Sequence, residues 1–152
     1  MIKDIEYIFK KIFLSEEYLL KKRLKRAIIK NYEKELSIVD HFKDKSKDAI
    51  DVGVYRGVYS YKLSKEFNQI HSFEPNPLLY PYLNKYLTKI IPNMTLYNYA
   101  LSNKNELTNL KIPYRGKSIF KNNIEEIYKL GCATIHETNN FEKFNNYEVE
   151  CK

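Results

Sequence analysis

A chain of 152 residues with 43% apolar and 14% aromatic side chains is long enough for one packed domain and too rich in core-forming residues for disorder throughout. No run approaches the roughly 18 to 20 consecutive apolar residues of a membrane span. The start carries Asp4 and Glu6 without a small-residue cleavage site, so a signal peptide is not indicated. Cys132 and Cys151 form no C-x-x-C pair, which predicts reduced thiols, a cytoplasmic location and no metal site. The formal charge of +7 is weak evidence for a polyanion partner, because abundant Lys, Asn, Ile and Tyr without Trp is what an AT-rich coding sequence yields; no nucleic-acid partner is expected.

Residues 1–36 carry apolar positions at helical spacing, first Ile5, Ile8, Phe9, Ile12 and Phe13, then Leu20, Leu24, Ala27 and Ile28. Ser15 followed by Glu16 and Glu17 is an N-cap with acids in the first turn and predicts a break into two helices. The one dense basic cluster, Lys21, Lys22, Arg23, Lys25, Arg26 and Lys30, could meet phosphate or an anionic membrane face. A solvated helix face is the favoured reading, since Glu16, Glu17, Glu33 and Glu35 dilute the field in sequence. Residues 37–44 continue as a short helix, and residues 1–47 form a helical extension preceding the main domain at 48–152.

The most informative block follows. A short apolar strand ending on Asp51 runs into the turn Gly53-Val54-Tyr55-Arg56-Gly57, an amphipathic crossover helix over residues 59–67 places Tyr59, Leu63 and Phe67 on one face, and a second strand, Ile70-His71-Ser72-Phe73, ends on Glu74. This is the layout of a nucleoside-cofactor site: glycines allow close backbone approach, and a strand-end carboxylate can accept two hydrogen bonds from a ribose diol. The spacing Asp51-x-Gly53-x-x-x-Gly57 departs from the G-x-G-x-x-G of a pyrophosphate site. An acid before the glycine repels phosphate and attracts an ammonium, as carried by S-adenosyl-L-methionine. Pro75 and Pro77 end the strand, residues 78–87 form a second crossover helix, and residues 95–99 a third strand. Three such strands gather Asp51, Glu74 and Asn98 at one carboxyl edge. Residues 107–112, 133–137 and 147–151 read as short half-exposed strands joined by surface loops.

Asp51-Val52-Gly53 through Ser60, Phe73-Glu74-Pro75-Asn76-Pro77 and Asn98-Tyr99-Ala100-Leu101-Ser102 resemble the successive cofactor motifs of FkbM-type methyltransferases over residues 30–152. The resemblance implies a class I, Rossmann-like, doubly wound α/β domain with a β-rich insertion after the third strand. It also implies binding of S-adenosyl-L-methionine and O-methylation of a saccharide or similar hydroxylated metabolite. Carried onto this chain, Asp51 serves the methionine ammonium, Gly53 and Gly57 close backbone approach, and Glu74 the ribose hydroxyls. Pro75, Asn98 and Ala100 lie near the adenine. Tyr55 either offers backbone to the methionine carboxylate or only packs. The family's Asp-x-Glu-Gly segment on a fourth strand is absent, and the strand-like residues 147–152 predict a C-terminally truncated domain whose first strand is a bare edge, open to self-association. No general base is assigned: His71 reads as structural, His41 lies in a helix, and His136 beside Glu137 is the histidine to test. Two other readings stand: a nicotinamide-dependent oxidoreductase using Glu74 on its ribose, and a non-catalytic remnant that binds RNA or membrane through the basic helix.

Overall fold

The structure, a computed structural model, describes residues 14–30, 33–113, 130–135 and 143–152. Helix α1 spans Glu16–Ile29. Its start follows from the capping chemistry, the Tyr18 N–H donating to Ser15 Oγ at 3.2 Å while Glu16 and Glu17 occupy the first turn. The helix stops earlier than its apolar spacing predicts. Glu33 is extended at φ −117°, and the chain re-forms as a 3-10 turn, Lys34–Ile38, that buries Leu36 and passes into the short helix α2, Val39–Phe42. The first predicted helix, with Ile5, Ile8, Phe9, Ile12 and Phe13, lies outside the described residues.

Three strands, β1 (Ala49–Val52), β2 (Ile70–Phe73) and β3 (Met94–Tyr97), form a parallel sheet in the order β1-β2-β3. Parallel neighbours require crossovers. Helix α3 (Val58–Glu66) connects the first pair. Between β2 and β3 lies helix α4, which opens as Tyr80–Tyr82 with Pro81 in its first turn, continues as a π-helical turn at Leu83–Leu87, and closes at Thr88–Ile90. The fold is therefore mixed α/β, as the alternation of strand and helix patterns predicts.

Register aligns Ala49 with Ile70 and Met94, and Asp51 with Ser72 and Leu96. On this face Ile70 and Met94 are buried with Leu83, Leu87 and Ile91 and with Leu20 and Leu24 of α1, so the N-terminal helix shares the core of the sheet. The buried residues of α3 are Ser60 and Tyr61, with Val58, Leu63 and Phe67 packed partly against the core. The predicted Tyr59 face is thus rotated, because Ser60 is drawn beneath the sheet to meet Asp51 and Ser72. The opposite row aligns Val52, Phe73 and Tyr97. There Phe73 and Tyr97 stack at 4.8 Å and Tyr99 meets Phe73 edge-on at 5.4 Å.

Beyond the sheet, β4 (Glu106–Pro113) and β5 (Phe144–Cys151) pair antiparallel, Glu106 opposite Cys151 and Pro113 opposite Phe144. Both outrun their predicted lengths. The strand predicted at 133–137 is reduced to one bridge, Thr134 exchanging backbone hydrogen bonds with Lys111 at 2.8 and 3.0 Å after a 3-10 turn at Leu130–Cys132. Residues 136 and 137 lie outside the described residues.

Strand β1 lies at the sheet's edge, with Ile50 65% and Val52 63% exposed. An edge strand flanked by exposed apolar side chains templates pairing with another chain. Concentration-dependent association is expected in sedimentation velocity, and Val52→Lys should shift the protein toward monomer. Identical sedimentation of the two proteins would place the contact elsewhere.

Candidate functional site

The chain leaves β1 through a turn containing three residues at positive φ: Gly53 at 82°, Tyr55 at 48° and Gly57 at 76°. The two glycines have different reasons to be glycine. A Cβ on Gly57 would come within 2.5 Å of a Leu87 methyl, so this position both permits the dihedral and lets α4 close on the turn. A Cβ on Gly53 would meet nothing within 4 Å, so its dihedral is constrained while the space before it stays open. Tyr55 holds a dihedral that costs a non-glycine residue about 1 to 3 kcal/mol, and three contacts hold it there. Its N–H donates to Glu74 Oε2 at 2.8 Å, its ring rests against Gly131, and the Arg56 guanidinium lies 5.1 Å from the ring centroid.

Glu74 stands at the end of β2, nearly fully buried. Its other oxygen, Oε1, accepts the Asn76 N–H at 2.9 Å. Burial pushes its carboxyl above the ordinary value of 4.5 even though both backbone donors pull it down. A carboxylate has about four acceptor positions, so two donors leave Glu74 with room for a diol.

Asp51 sits one layer beneath, on the helix-facing side of the sheet. It accepts from Ser60 Oγ, the Ser60 backbone N–H in the first turn of α3 helps hold its pKa down, and Ser60 Oγ lies 3.0 Å from Ser72 Oγ. A carboxylate at a helix N-terminus meets orphan N–H groups and the positive end of the helix dipole. Gly57, the N-cap, has no side chain to do this, and Asp51 supplies the missing acceptor from the neighbouring strand. Burial nevertheless raises its pKa, and the Ser60 bonds oppose that rise.

The remaining predicted residues divide. Pro75 and Asn98 line an open cleft of about 410 Å³ with Pro77, Tyr99, Glu148, Val149, Glu150 and Lys152. Ala100 does not line it: its N–H donates to the Glu150 carbonyl at 2.8 Å and its carbonyl accepts from the Lys152 N–H at 3.0 Å, fastening β5 beside the exit of β3. Lys152 spans the far wall, its Nζ 2.9 Å from Glu150 and 4.9 Å from the Tyr99 ring centroid. The β5 wall carried no sequence signal, since nothing in residues 144–151 announces which strand end they will meet. Asn76 stood within the Phe73–Pro77 motif without a role of its own. It is almost fully buried, its Oδ1 accepts the Leu78 N–H at 3.0 Å, and among the described residues its Nδ2 has no partner. An orphaned donor beside Glu74 is the kind of group a bound polar ligand satisfies.

The histidines stay apart from this edge. His71 Nδ1 lies 3.2 Å from the Tyr97 hydroxyl and Nε2 3.6 Å from Asp48; His41 contacts the Ser37 carbonyl at 3.4 Å. His136 lies outside the described residues. Among the described residues no three His, Cys, Asp or Glu side chains are grouped to hold a metal, and no helix is long and apolar enough to cross a membrane. No protein-family model matches this sequence, and no curated protein matches it.

Because burial raises both carboxyls, each holds its proton more tightly in the folded state than in the unfolded one. Their contribution to stability is present below the ordinary values of 3.8 and 4.5 and is lost as pH rises through the raised values. The urea midpoint should therefore fall across that window. Glu74→Gln should flatten the fall, and a variant with the parent's slope would show that Glu74 does not titrate there.

Proposed function

We propose that this chain is the cofactor-binding part of a class I, Rossmann-like methyltransferase of the FkbM type, using S-adenosyl-L-methionine to O-methylate a saccharide or other hydroxylated metabolite. The observation that carries the reading is the hydrogen bond from the Tyr55 N–H to Glu74 Oε2. It ties the glycine turn after β1 to the carboxylate after β2 across the carboxyl edge of a parallel sheet, where ligands of open α/β folds bind.

The residues present suit such a ligand. Open space before Gly53 admits the methionine end, and the two acceptor positions left on Glu74 match a ribose diol. The Asn76 amide offers an unpartnered donor, and the cleft beside Pro75, Asn98 and Tyr99 is large enough for a purine with an aromatic ring at its wall. Asp51 acts from beneath, fixing Ser60 and the start of α3, in place of the direct ammonium contact that its position in the motif suggests. When bound, the sulfonium supplies an electrophilic methyl group. The chain's part is then positioning: holding ribose and base fixed so that an acceptor oxygen can approach in line, which supplies much of the acceleration in transfers of this kind.

In titration calorimetry with the full chain, Glu74→Ala should weaken S-adenosyl-L-methionine binding by about 1 to 3 kcal/mol, the range for hydrogen bonds to a charged group. Glu74→Gln, which keeps the shape, should lose less. Unchanged affinity in both variants removes Glu74 from the site, and a parent chain that binds neither the cofactor nor S-adenosylhomocysteine overturns the reading.

A further inference from the structure

Of the acids that dilute the basic cluster in sequence, Glu16 pairs with Arg23 alone, at 3.8 Å, and Glu33 lies near Tyr59, where its charge helps raise the phenol's pKa. Helix α1 buries Leu20, Leu24 and Ala27. At 3.6 residues per turn the opposite stripe runs through Tyr18, Lys22, Lys25 and Ile29, with Lys21 and Arg26 on its flanks. All six are exposed, Tyr18 by 52% and Ile29 by 82%. Among the described residues no acid pairs with Lys21, Lys22, Lys25 or Arg26.

We infer that this outward face of α1 docks reversibly on an anionic lipid surface. The charge complementarity is direct: four unpaired cations on one face of a 14-residue helix can meet lipid headgroup phosphates together. An isoleucine within the cationic face decides between phosphate-bearing partners. Ile29 gains nothing from a nucleic-acid backbone, which is met by cations and hydrogen-bond donors, whereas Tyr18 suits either partner. At a bilayer both find a place: the isoleucine enters the acyl boundary while the tyrosine ring settles at headgroup level and the lysine stems extend along the interface. Charge and apolar insertion each bind weakly, and stable attachment takes two such signals together. The helix would lie flat, leaving its buried stripe undisturbed on the core. The inference stands independently of the cofactor reading.

The test is co-sedimentation of the full chain with vesicles of phosphatidylcholine alone and of phosphatidylcholine mixed with phosphatidylserine. Binding should require phosphatidylserine and weaken with salt. At about fivefold per cation, Lys22→Glu with Lys25→Glu should lower the partition coefficient at least tenfold. Ile29→Ser should lower it severalfold while leaving the salt dependence unchanged. Circular dichroism should match the parent in both variants, whose changes face solvent. Equal binding to neutral vesicles, no binding to either, or indifference to both variants overturns the inference. So does a face that binds labelled single-stranded RNA, loses it on charge reversal and ignores Ile29→Ser.

Discussion

Two carboxylates lie buried where the strands of a parallel sheet end, and each must find donors inside the protein. Glu74 takes the N–H groups of Tyr55 and Asn76; Asp51 takes Ser60, and Ser60 reaches on to Ser72. These bonds join pieces that topology alone would leave separate. The turn after β1 is held to the end of β2, and the first turn of α3 is held to β1. Removing Glu74 would orphan two backbone donors together, and removing Asp51 would orphan a buried hydroxyl, each costlier than losing a single exposed contact. The glycine turn is shaped as much by what it bonds as by its glycines.

The sequence carried the α/β alternation, the start of α1 at Ser15 and the convergence on one sheet edge, because each rests on short-range rules. Period-2 and helical patterns need only neighbours, and so do caps and proline stops. It misplaced what long-range contacts decide. The helix predicted through Leu36 ends at Ile29, and Leu36 is buried from a separate 3-10 turn. Tyr59 was expected on the inner face of α3, and Ser60 sits there because a buried acid outweighs an aromatic ring in choosing which residue turns inward. Of the candidate site, Glu74 and Gly53 were readable from spacing. Asn76's orphaned amide and the β5 wall were not, since both depend on which strand arrives beside β3.

The same logic separates residues that share a motif. Gly53 and Gly57 look equivalent in sequence, yet one borders open space and the other makes room for Leu87. Asp51 and Glu74 look like paired ligand groups, yet one caps a helix from below while the other keeps acceptor positions at the edge. A motif lists residue types; burial and direction sort them into those that hold the site and those able to meet a ligand.

The contact between Tyr55 and Gly131 ties the glycine turn to a segment far along the chain. A methyl at position 131 would stand 3.1 Å from the tyrosine ring, closer than side chains ordinarily approach, so the half-buried ring at 55 would have to shift by a few tenths of an ångström to admit it. The two positions therefore constrain each other: a larger residue at 131 is accommodated most easily where 55 is smaller. In a set of related sequences this pair would covary although neither residue repeats a recognisable motif of the other, and the covariation would record the docking of the 130–132 turn onto the glycine turn after β1.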